Sequence, residues 1–305
     1  MRYAIAIPQF YADGTFDPAA FSQYLQRAEQ LGFHSAWTQE QVFGTAPTLA
    51  ATEAMTFAAA CTETLRLGCT VYVSTLHTPA HLAKSLATLD QLSRGRLEIG
   101  VGTGGKNRPY AAFGLSPERY IARFTEGIEL IKALWTQERT TLDGDFWQLD
   151  GMAMEPKPFQ KPHPPLWFGG SGPKAIRRAI QLGTGFFGAG SSPTANFAEQ
   201  VNTVREALVE AGRDESSFPI AKRVYLAVDE NAAHARERMN AGLTDIYGSL
   251  PEPIAAAAVA GTVEQCAAGV REVIEAGAEL ILFTAVYDQP EQMERIAAEI
   301  IPQLR

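Results

Sequence analysis

The amino-acid sequence predicts an α/β protein built as a (β/α)8 barrel, known as a TIM barrel. Three observations carry this prediction. Strand-like and helix-like runs alternate from end to end, glycine-rich turns join strands to helices, and the length of 305 residues suits one barrel. No shift in composition marks a second domain. We therefore predict a single barrel domain over residues 1–305.

The elements follow one another as repeated strand–helix units. We predict strands near residues 3–7, 34–38, 67–73, 96–101, 166–169, 184–188, 220–228 and 279–284. We predict helices near residues 18–31, 48–61, 79–93, 117–136, 173–182, 193–211, 231–247 and 290–304, with an extra helix at 263–276. The fourth helix has the clearest pattern, because its apolar residues recur at steps of three and four along one face.

Capping residues predict where some of these helices begin. Ser116 before Pro117 predicts the start of the fourth helix, and Ser192 before Pro193 predicts the start of the sixth. Thr262 and the glutamine three residues later form the pattern of a capping box before the extra helix. These positions predict structure and carry no chemistry.

Two segments interrupt the alternation, residues 138–165 and 248–261. The first contains a hairpin turn at residues 142–146 and a proline-rich run, and the second combines Gly248 and two prolines with an alanine-rich run. Loops of this length in a compact barrel are usually lids or substrate-contacting insertions. We therefore expect both segments at the carboxyl-terminal face of the barrel.

Composition narrows the class of partner and the compartment. The 26 Lys and Arg against 34 Asp and Glu give a net charge of −8, which argues against nucleic acid and anionic membranes as main partners. The three cysteines form no C-x-x-C pair, which suits a reducing cytoplasm. His77 and His81 have a zinc-like spacing without a third ligand, so we predict exposed histidines at a helix start and no metal. No apolar run approaches the ~20 residues that span a membrane.

Two glycine-rich strand ends predict a phosphate site. The strand near 166–169 and the strand near 184–188 each stop at small residues just before a helix. Glycine allows close backbone approach, and free amides at a helix N-terminus favour an anion. Short turns without a ligand are the alternative. The predicted binding residues are Gly169, Gly170, Ser171, Gly172, Ala189, Gly190 and Ser191.

A third glycine-rich run, residues 100–107, fits G-x-G-x-x-G but does not lead directly into a helix. That context argues against a dinucleotide fingerprint or a P-loop. We predict instead that a flat ring lies against the backbone of Gly102, Thr103 and Gly104. Lys106, Asn107 and Arg108 are expected near the ring, the cofactor tail or the substrate.

Glu40 and Gln41 follow the second strand at its carboxyl end. Barrel enzymes carry their catalytic groups at this face. We therefore predict that Glu40 and Gln41 are the catalytic pair. A surface carboxylate with satisfied hydrogen bonds is the alternative for Glu40.

The sequence resembles the bacterial luciferase-like flavin- and F420-dependent oxidoreductases, the luciferase-like monooxygenases, along nearly its whole length. The matching motifs are Ile5-Ala-Ile-Pro-Gln9, Ala28-Glu-Gln-Leu-Gly-Phe33 before Trp37, Leu67-Gly-Cys-Thr-Val71, the run from Ala83 to Leu97, Gly100-Val-Gly-Thr-Gly104, and Gly169-Gly-Ser-Gly-Pro173 with Gly183-Thr-Gly185. Each motif is short. Together, in the family's order, they are specific.

The resemblance implies reduced FMN or coenzyme F420 at the carboxyl-terminal face, with its phosphate on residues 169–172 and 189–191. It places the ring against a non-proline cis peptide between Thr70 and Val71. Many members have a histidine after the acidic residue of strand two, where this chain has Gln41. F420-linked sugar dehydrogenases have a glutamate where Gly105 stands. Both replacements remove a titrating group, since glutamine only hydrogen-bonds.

The expected function is therefore an oxidoreductase that passes a hydride, or activates O2, toward a small organic substrate. FMN and F420 both remain open as the cofactor, and a homodimer stays open as the assembly. One alternative is a non-catalytic barrel that binds flavin or F420, which the absent histidine motivates. Another is an unrelated barrel enzyme that acts on a phosphate substrate.

Overall fold

A computed structural model describes residues 1–11 and 14–304 of the protein. Its strands are β1 (Arg2–Ala6), β2 (Ser35–Thr38), β3 (Arg66–Val73), β4 (Leu97–Gly102), β5 (Thr140–Asp143), β6 (Gln148–Met152), β7 (Leu166–Gly169), β8 (Gly185–Gly188), β9 (Ile220–Val228), β10 (Val259–Gly261) and β11 (Leu280–Thr284). Within the described residues, eight parallel strands close in the order β1-β2-β3-β4-β7-β8-β9-β11, and β11 pairs back to β1. The predicted (β/α)8 barrel is confirmed.

The helices surround this barrel. They are α1 (Pro18–Gln30), α2 (Ala51–Cys61), α3 (Pro79–Leu92), α4 (Tyr120–Thr136), α5 (Pro173–Leu182), α6 (Thr194–Glu210), α7 (Ala232–Tyr247), α8 (Glu252–Ala257), α9 (Val263–Glu275) and α10 (Gln289–Arg295). The predicted last helix is α-helical only to Arg295, and a π-helical turn and a 3-10 turn complete it. Pro302 lies in that 3-10 turn, where its missing N–H prevents an α-helical bond.

Two predicted helix starts are wrong, and one is confirmed. The side chain of Ser116 accepts a bond from the Glu118 amide in a separate turn, and α4 begins at Tyr120. The sixth helix begins at Thr194 after Pro193, with no side-chain cap. In both places the predicted capping residue forms its hydrogen bond within a turn that precedes the helix. The capping box at Thr262 is present as predicted.

Aromatic rings fill the interior of the barrel and close its floor. Trp37, Trp167 and Phe187 pack edge to face, with the Trp37 and Phe187 centroids 4.9 Å apart. A Cβ on Gly68 would lie 2.3 Å from the Trp37 ring, so only glycine leaves room for the indole there. Trp37 is 1% exposed. The barrel interior below its carboxyl-terminal face is therefore filled by packed aromatic rings.

The two insertions lie at opposite ends of the barrel. In residues 248–261, β10 pairs with the last three residues of β9 and so lies at the carboxyl face as predicted. Residues 138–165 connect α4 to β7 and end at the amino face, where Gln160 bonds to Asp90 and to the Leu97 carbonyl. The prediction that this segment covers the mouth is wrong, because a helix-to-strand connection reaches the amino ends of the strands. Its hairpin of β5 and β6 packs against α4, where the Phe146 and Trp147 amides donate to Glu126.

Candidate functional site

A cavity of about 580 Å³ opens at the carboxyl ends of β3, β4, β7 and β8. Most of the predicted site residues line it. They are Glu40, Gln41, Thr70, Val71, Gly102, Thr103, Gly104, Arg108, Gly169, Gly170, Ala189, Gly190 and Ser191. The carboxyl ends of neighbouring parallel strands meet at one face, so residues far apart in sequence converge on this cavity.

One wall of the cavity lies around Val71. The peptide bond between Thr70 and Val71 is cis, as the resemblance implied. A Cβ on Gly102 would lie 2.8 Å from a Val71 methyl carbon, and a Cβ on Gly169 would lie 3.1 Å from the other. Glycine at both positions lets β4 and β7 approach Val71 closely. No side chain of β4 or β7 therefore covers the cavity at these two glycines.

The two predicted anion loops form another part of the cavity lining, and the first of them begins at Gly169, beside Val71. The first, Gly169 to Gly172, leads into α5, whose N-cap Gly172 provides no side-chain bond. The second, Ala189 to Ser191, precedes α6, which also lacks a side-chain cap. Helix starts without a side-chain cap leave amides available for a ligand. Both loops therefore stay the predicted phosphate site.

Lys222 on β9 supports the second loop from behind. Its Nζ donates to the carbonyl oxygens of Ala189 and, at 2.7 Å, Ser192, and it lies over the Phe197 ring. The residue is 3% exposed. Burial, with the neighbouring Arg223 guanidinium, lowers the pKa of Lys222 to about 7. A buried cation thus lies directly behind a loop that suits an anion.

Glu40 is held in place by two partners. Its Oε2 accepts a bond of 2.6 Å from the Val73 amide, and its Oε1 lies 2.6 Å from Nε2 of His77. The prediction that His77 is merely exposed at a helix start is wrong, because its ring contacts Glu40 and packs against Tyr72. Gln41 lines the cavity. Its Nε2 occupies space that a Cβ on Gly44 would need, so glycine at position 44 leaves room for the Gln41 amide. An acidic side chain paired with an imidazole is therefore present, with the imidazole on a different segment.

The remaining predicted residues are farther from the cavity. Ser171 lines a neighbouring groove, and Gly172 caps α5. Lys106 and Asn107 are exposed and line neither the cavity nor the groove, while Arg108 donates to the Gly104 carbonyl at the cavity rim. Within the described part of the chain, no cluster of His, Cys, Asp and Glu could hold a metal ion.

Arg223 is the main site residue that sequence analysis missed. It is 8% exposed and lines the cavity, where its guanidinium donates to Oε1 of Gln39 and, at 3.3 Å, to the Thr70 carbonyl. Two adjacent cations in an otherwise apolar strand were a readable signal, because charged residues are rarely buried without a reason. Tyr225 and Tyr247, joined by a hydroxyl–hydroxyl bond of 2.6 Å, also line this side.

No helix of the described residues is both long and apolar enough to cross a membrane.

Known proteins resemble this chain over most of its length. An F420-dependent glucose-6-phosphate dehydrogenase from Kineococcus radiotolerans is 29% identical over 321 aligned residues, covering 95% of this chain and 94% of that protein. A protein of the same name from Beutenbergia cavernae is 34% identical over 234 residues, covering 72% of this chain and 67% of that protein.

Solved structures share the fold at lower identity. A monooxygenase from Streptomyces bottropensis matches with a TM-score of 0.87 at 22% identity, over 100% of both chains. An F420-dependent secondary alcohol dehydrogenase in complex with an F420-acetone adduct matches with a TM-score of 0.84 at 21% identity, over 100% of this chain and 99% of that chain. The luciferase-like monooxygenase family model matches residues 1–280. The chain therefore belongs to the luciferase-like monooxygenase family.

Proposed function

We propose that this protein is an oxidoreductase that binds reduced coenzyme F420 at the mouth of the barrel and reduces a small organic substrate. The observation that carries the proposal is the cavity itself, in which glycine backbone beside Val71 adjoins the two predicted anion loops at Gly170 and Gly190. A planar ring with a phosphate arm needs these two features together. FMN has the same two parts and is the second candidate, since the family includes monooxygenases.

A groove beyond the anion loops favours F420. It encloses about 520 Å³, shares Gly170, Ala189 and Ser191 with the main cavity, and continues past Pro193 to Pro253. FMN ends at its phosphate, whereas F420 continues beyond it in a flexible tail. A groove that begins at the phosphate loops provides space for such a tail.

The protein's own groups bind and orient rather than react. When bound, the cofactor supplies the hydride, and the chain supplies orientation and electrostatics. Val71 and the glycines of β4 and β7 support one face of the ring. The loops at Gly170 and Ser191 hold the phosphate, and Lys222 adds positive charge behind the second loop. Glu40 is fixed by the Val73 amide and His77, so its carboxylate has a defined position at the cavity wall.

We also propose the catalytic pair Glu40 and Gln41 for this reaction, with Glu40 as the proton-handling group and Gln41 as a hydrogen-bonding group. Gln41 lines the cavity beside Glu40 and has no titrating proton. We also propose that residues 1–305 form a single domain, that the protein is a homodimer and that it is located in the cytoplasm. Light scattering during gel filtration tests the homodimer.

Direct titration tests the proposed cofactor. Purified protein is mixed separately with F420 and FMN, and binding is followed by the change in cofactor fluorescence. We expect F420 to bind more tightly than FMN, and riboflavin, which lacks phosphate, to bind more weakly than FMN. Failure of both cofactors to bind would refute the proposal. Preference for FMN, with consumption of O2 by the reduced complex, would favour the monooxygenase instead.

A further inference from the structure

A second cavity of about 420 Å³ adjoins the first one at the carboxyl ends of β1, β2, β9 and β11. The two cavities share the lining residues Gln39, Arg223, Tyr225 and Ile246. Neither anion loop lines the second cavity. A phosphate bound at the anion loops therefore leaves the second cavity free. We call it the side cavity.

The walls of the side cavity combine apolar and polar side chains. Its apolar lining residues include Ile7, Phe10, Trp37, Pro47, Ile246 and Val286. Asp245 also lines it but is exposed, so water screens its charge. Such a chamber suits an apolar body of small size.

Arg223 brings a buried charge to the wall between the two cavities. Its known acceptors, Gln39 Oε1 and the Thr70 carbonyl, are both neutral. Within residues 1–11 and 14–304, no carboxylate forms an ion pair with it. Buried charges are normally paired, and a guanidinium has five donors in a planar fork that matches a carboxylate. The unpaired charge therefore indicates an anionic ligand.

A second polar group of the same cavity lacks a partner. Thr284, at the end of β11, lines the side cavity, and its buried Oγ1 has no hydrogen-bond partner. A buried hydroxyl without a partner is unfavourable, and rotation about χ1 exchanges the positions of the hydroxyl and the methyl group. A ligand oxygen held by Arg223 could also satisfy this hydroxyl.

We propose that the side cavity binds a small monocarboxylate with an apolar body, and that Arg223 binds its carboxylate. The identification of this ligand as the substrate rests on the proposed function, because only a neighbouring cofactor makes the site reactive. Binding itself needs no cofactor. The proposal therefore predicts a property of the cofactor-free protein.

The test compares 4-fluorobenzoate with its neutral analogue 4-fluorobenzamide on the cofactor-free protein, by fluorine NMR and calorimetry. We expect the carboxylate to bind at least about tenfold more tightly than the amide, since a charge-assisted pair is lost in the amide. In Arg223→Met that preference should disappear. In Arg223→Lys part of it should remain, because the charge is kept without the fork. Thr284→Val should weaken carboxylate binding a few-fold.

Controls separate this site from others. Lys106→Met removes an exposed charge that lines neither cavity and should leave the preference unchanged. Inorganic phosphate also competes for a guanidinium, so its effect is compared in wild type and Arg223→Met. Binding of 4-fluorobenzoate that persists in Arg223→Met and is displaced by phosphate would place the probe on the anion loops and overturn the proposal. Equal affinity for the two probes, or no binding at millimolar concentration, would also overturn it. Thermal melting checks that each Arg223 variant is folded, and Arg223→Gln replaces any variant that is not.

The same samples separate the two proposals. If 4-fluorobenzoate binds through Arg223 but neither F420 nor FMN binds, the side cavity stands and the proposed function fails. If a cofactor binds and the carboxylate preference is absent, the proposed function stands and the side-cavity proposal fails. A changed F420 affinity in Arg223→Met, without any carboxylate preference in the wild type, would assign Arg223 to the cofactor.

Discussion

The low pKa of Lys222 should make the affinity for a phosphate-bearing cofactor depend on pH. Its ammonium group lies behind the Ala189–Ser191 loop, and burial with the Arg223 guanidinium lowers its pKa to about 7. In the empty protein, Lys222 therefore loses its proton as the pH rises through neutrality. An anion on the other side of the loop favours the charged form and raises this pKa. Binding above about pH 7 thus takes up a proton, so affinity falls as pH rises.

The magnitude follows from the burial of Lys222. At 3% exposure, water screens its charge little. Two unit charges about 6 Å apart interact by ~3 kcal/mol at an effective dielectric constant of ~20. An attraction of this size raises the pKa of Lys222 in the complex well above about 7. We expect F420 affinity to fall by up to about tenfold per pH unit as the pH rises above about 7, and to be flat below about 6.

The assay measures the dissociation constant of F420 from about pH 6 to 9.5 at constant ionic strength, for wild type and Lys222→Met. Methionine keeps an apolar chain beside Phe197 while removing the charge. Calorimetry in two buffers with different ionisation heats counts the protons taken up. F420 suits this test because its phosphodiester keeps one charge, whereas the FMN phosphate itself titrates near pH ~6. A flat wild-type profile, or a slope that survives in Lys222→Met, would refute the reasoning.

Three further predictions follow from individual contacts. Gly170→Ala places a Cβ 2.8 Å from Ala175 Cβ and should weaken cofactor binding about tenfold, whereas Gly172→Ala, with no atom within 4 Å, should not; fluorescence titration decides. Gln41→His should add a step near pH ~6.5 to the reoxidation rate of the reduced cofactor, absent from Gln41→Asn, in stopped-flow measurements. Arg96→Met loses bonds to four backbone carbonyls and a hydroxyl, and should cost about 2–4 kcal/mol in urea unfolding; a loss below ~1 kcal/mol would contradict this.

The barrel was predictable because each of its strands is a short apolar run followed by a turn, and this local pattern survives in the structure. The position of residues 138–165 was not. Proline content indicates a long loop, but the end of the barrel that it reaches depends on whether it follows a strand or a helix. Here it follows α4, so Gln160 bonds to Asp90 at the amino face.

Within the site, the sequence predicted the glycine positions of the backbone but not the contacts between side chains. Glycine has few reasons to recur at strand ends, so Gly102, Gly169 and Gly170 pointed to the cavity directly. The contact between His77 and Glu40 joins positions 37 residues apart and exists only once β2 and β3 pair. Whether Arg223 faces the barrel interior or the helices depends on the register of β9, which the sequence of that strand leaves undetermined.

The register of β9 explains how one strand serves the two proposed anion sites. Successive side chains of a strand point to opposite faces, so the adjacent residues Lys222 and Arg223 cannot enter the same compartment. Lys222 points outward, over the Phe197 ring of α6 and behind the loop at Ala189. Arg223 points inward, into the wall between the main cavity and the side cavity. A one-residue slip of β9 would exchange the two cations and leave each beside the wrong site. The pairing of β9 with β8 and β11 therefore fixes the charge of both sites as well as the closure of the barrel.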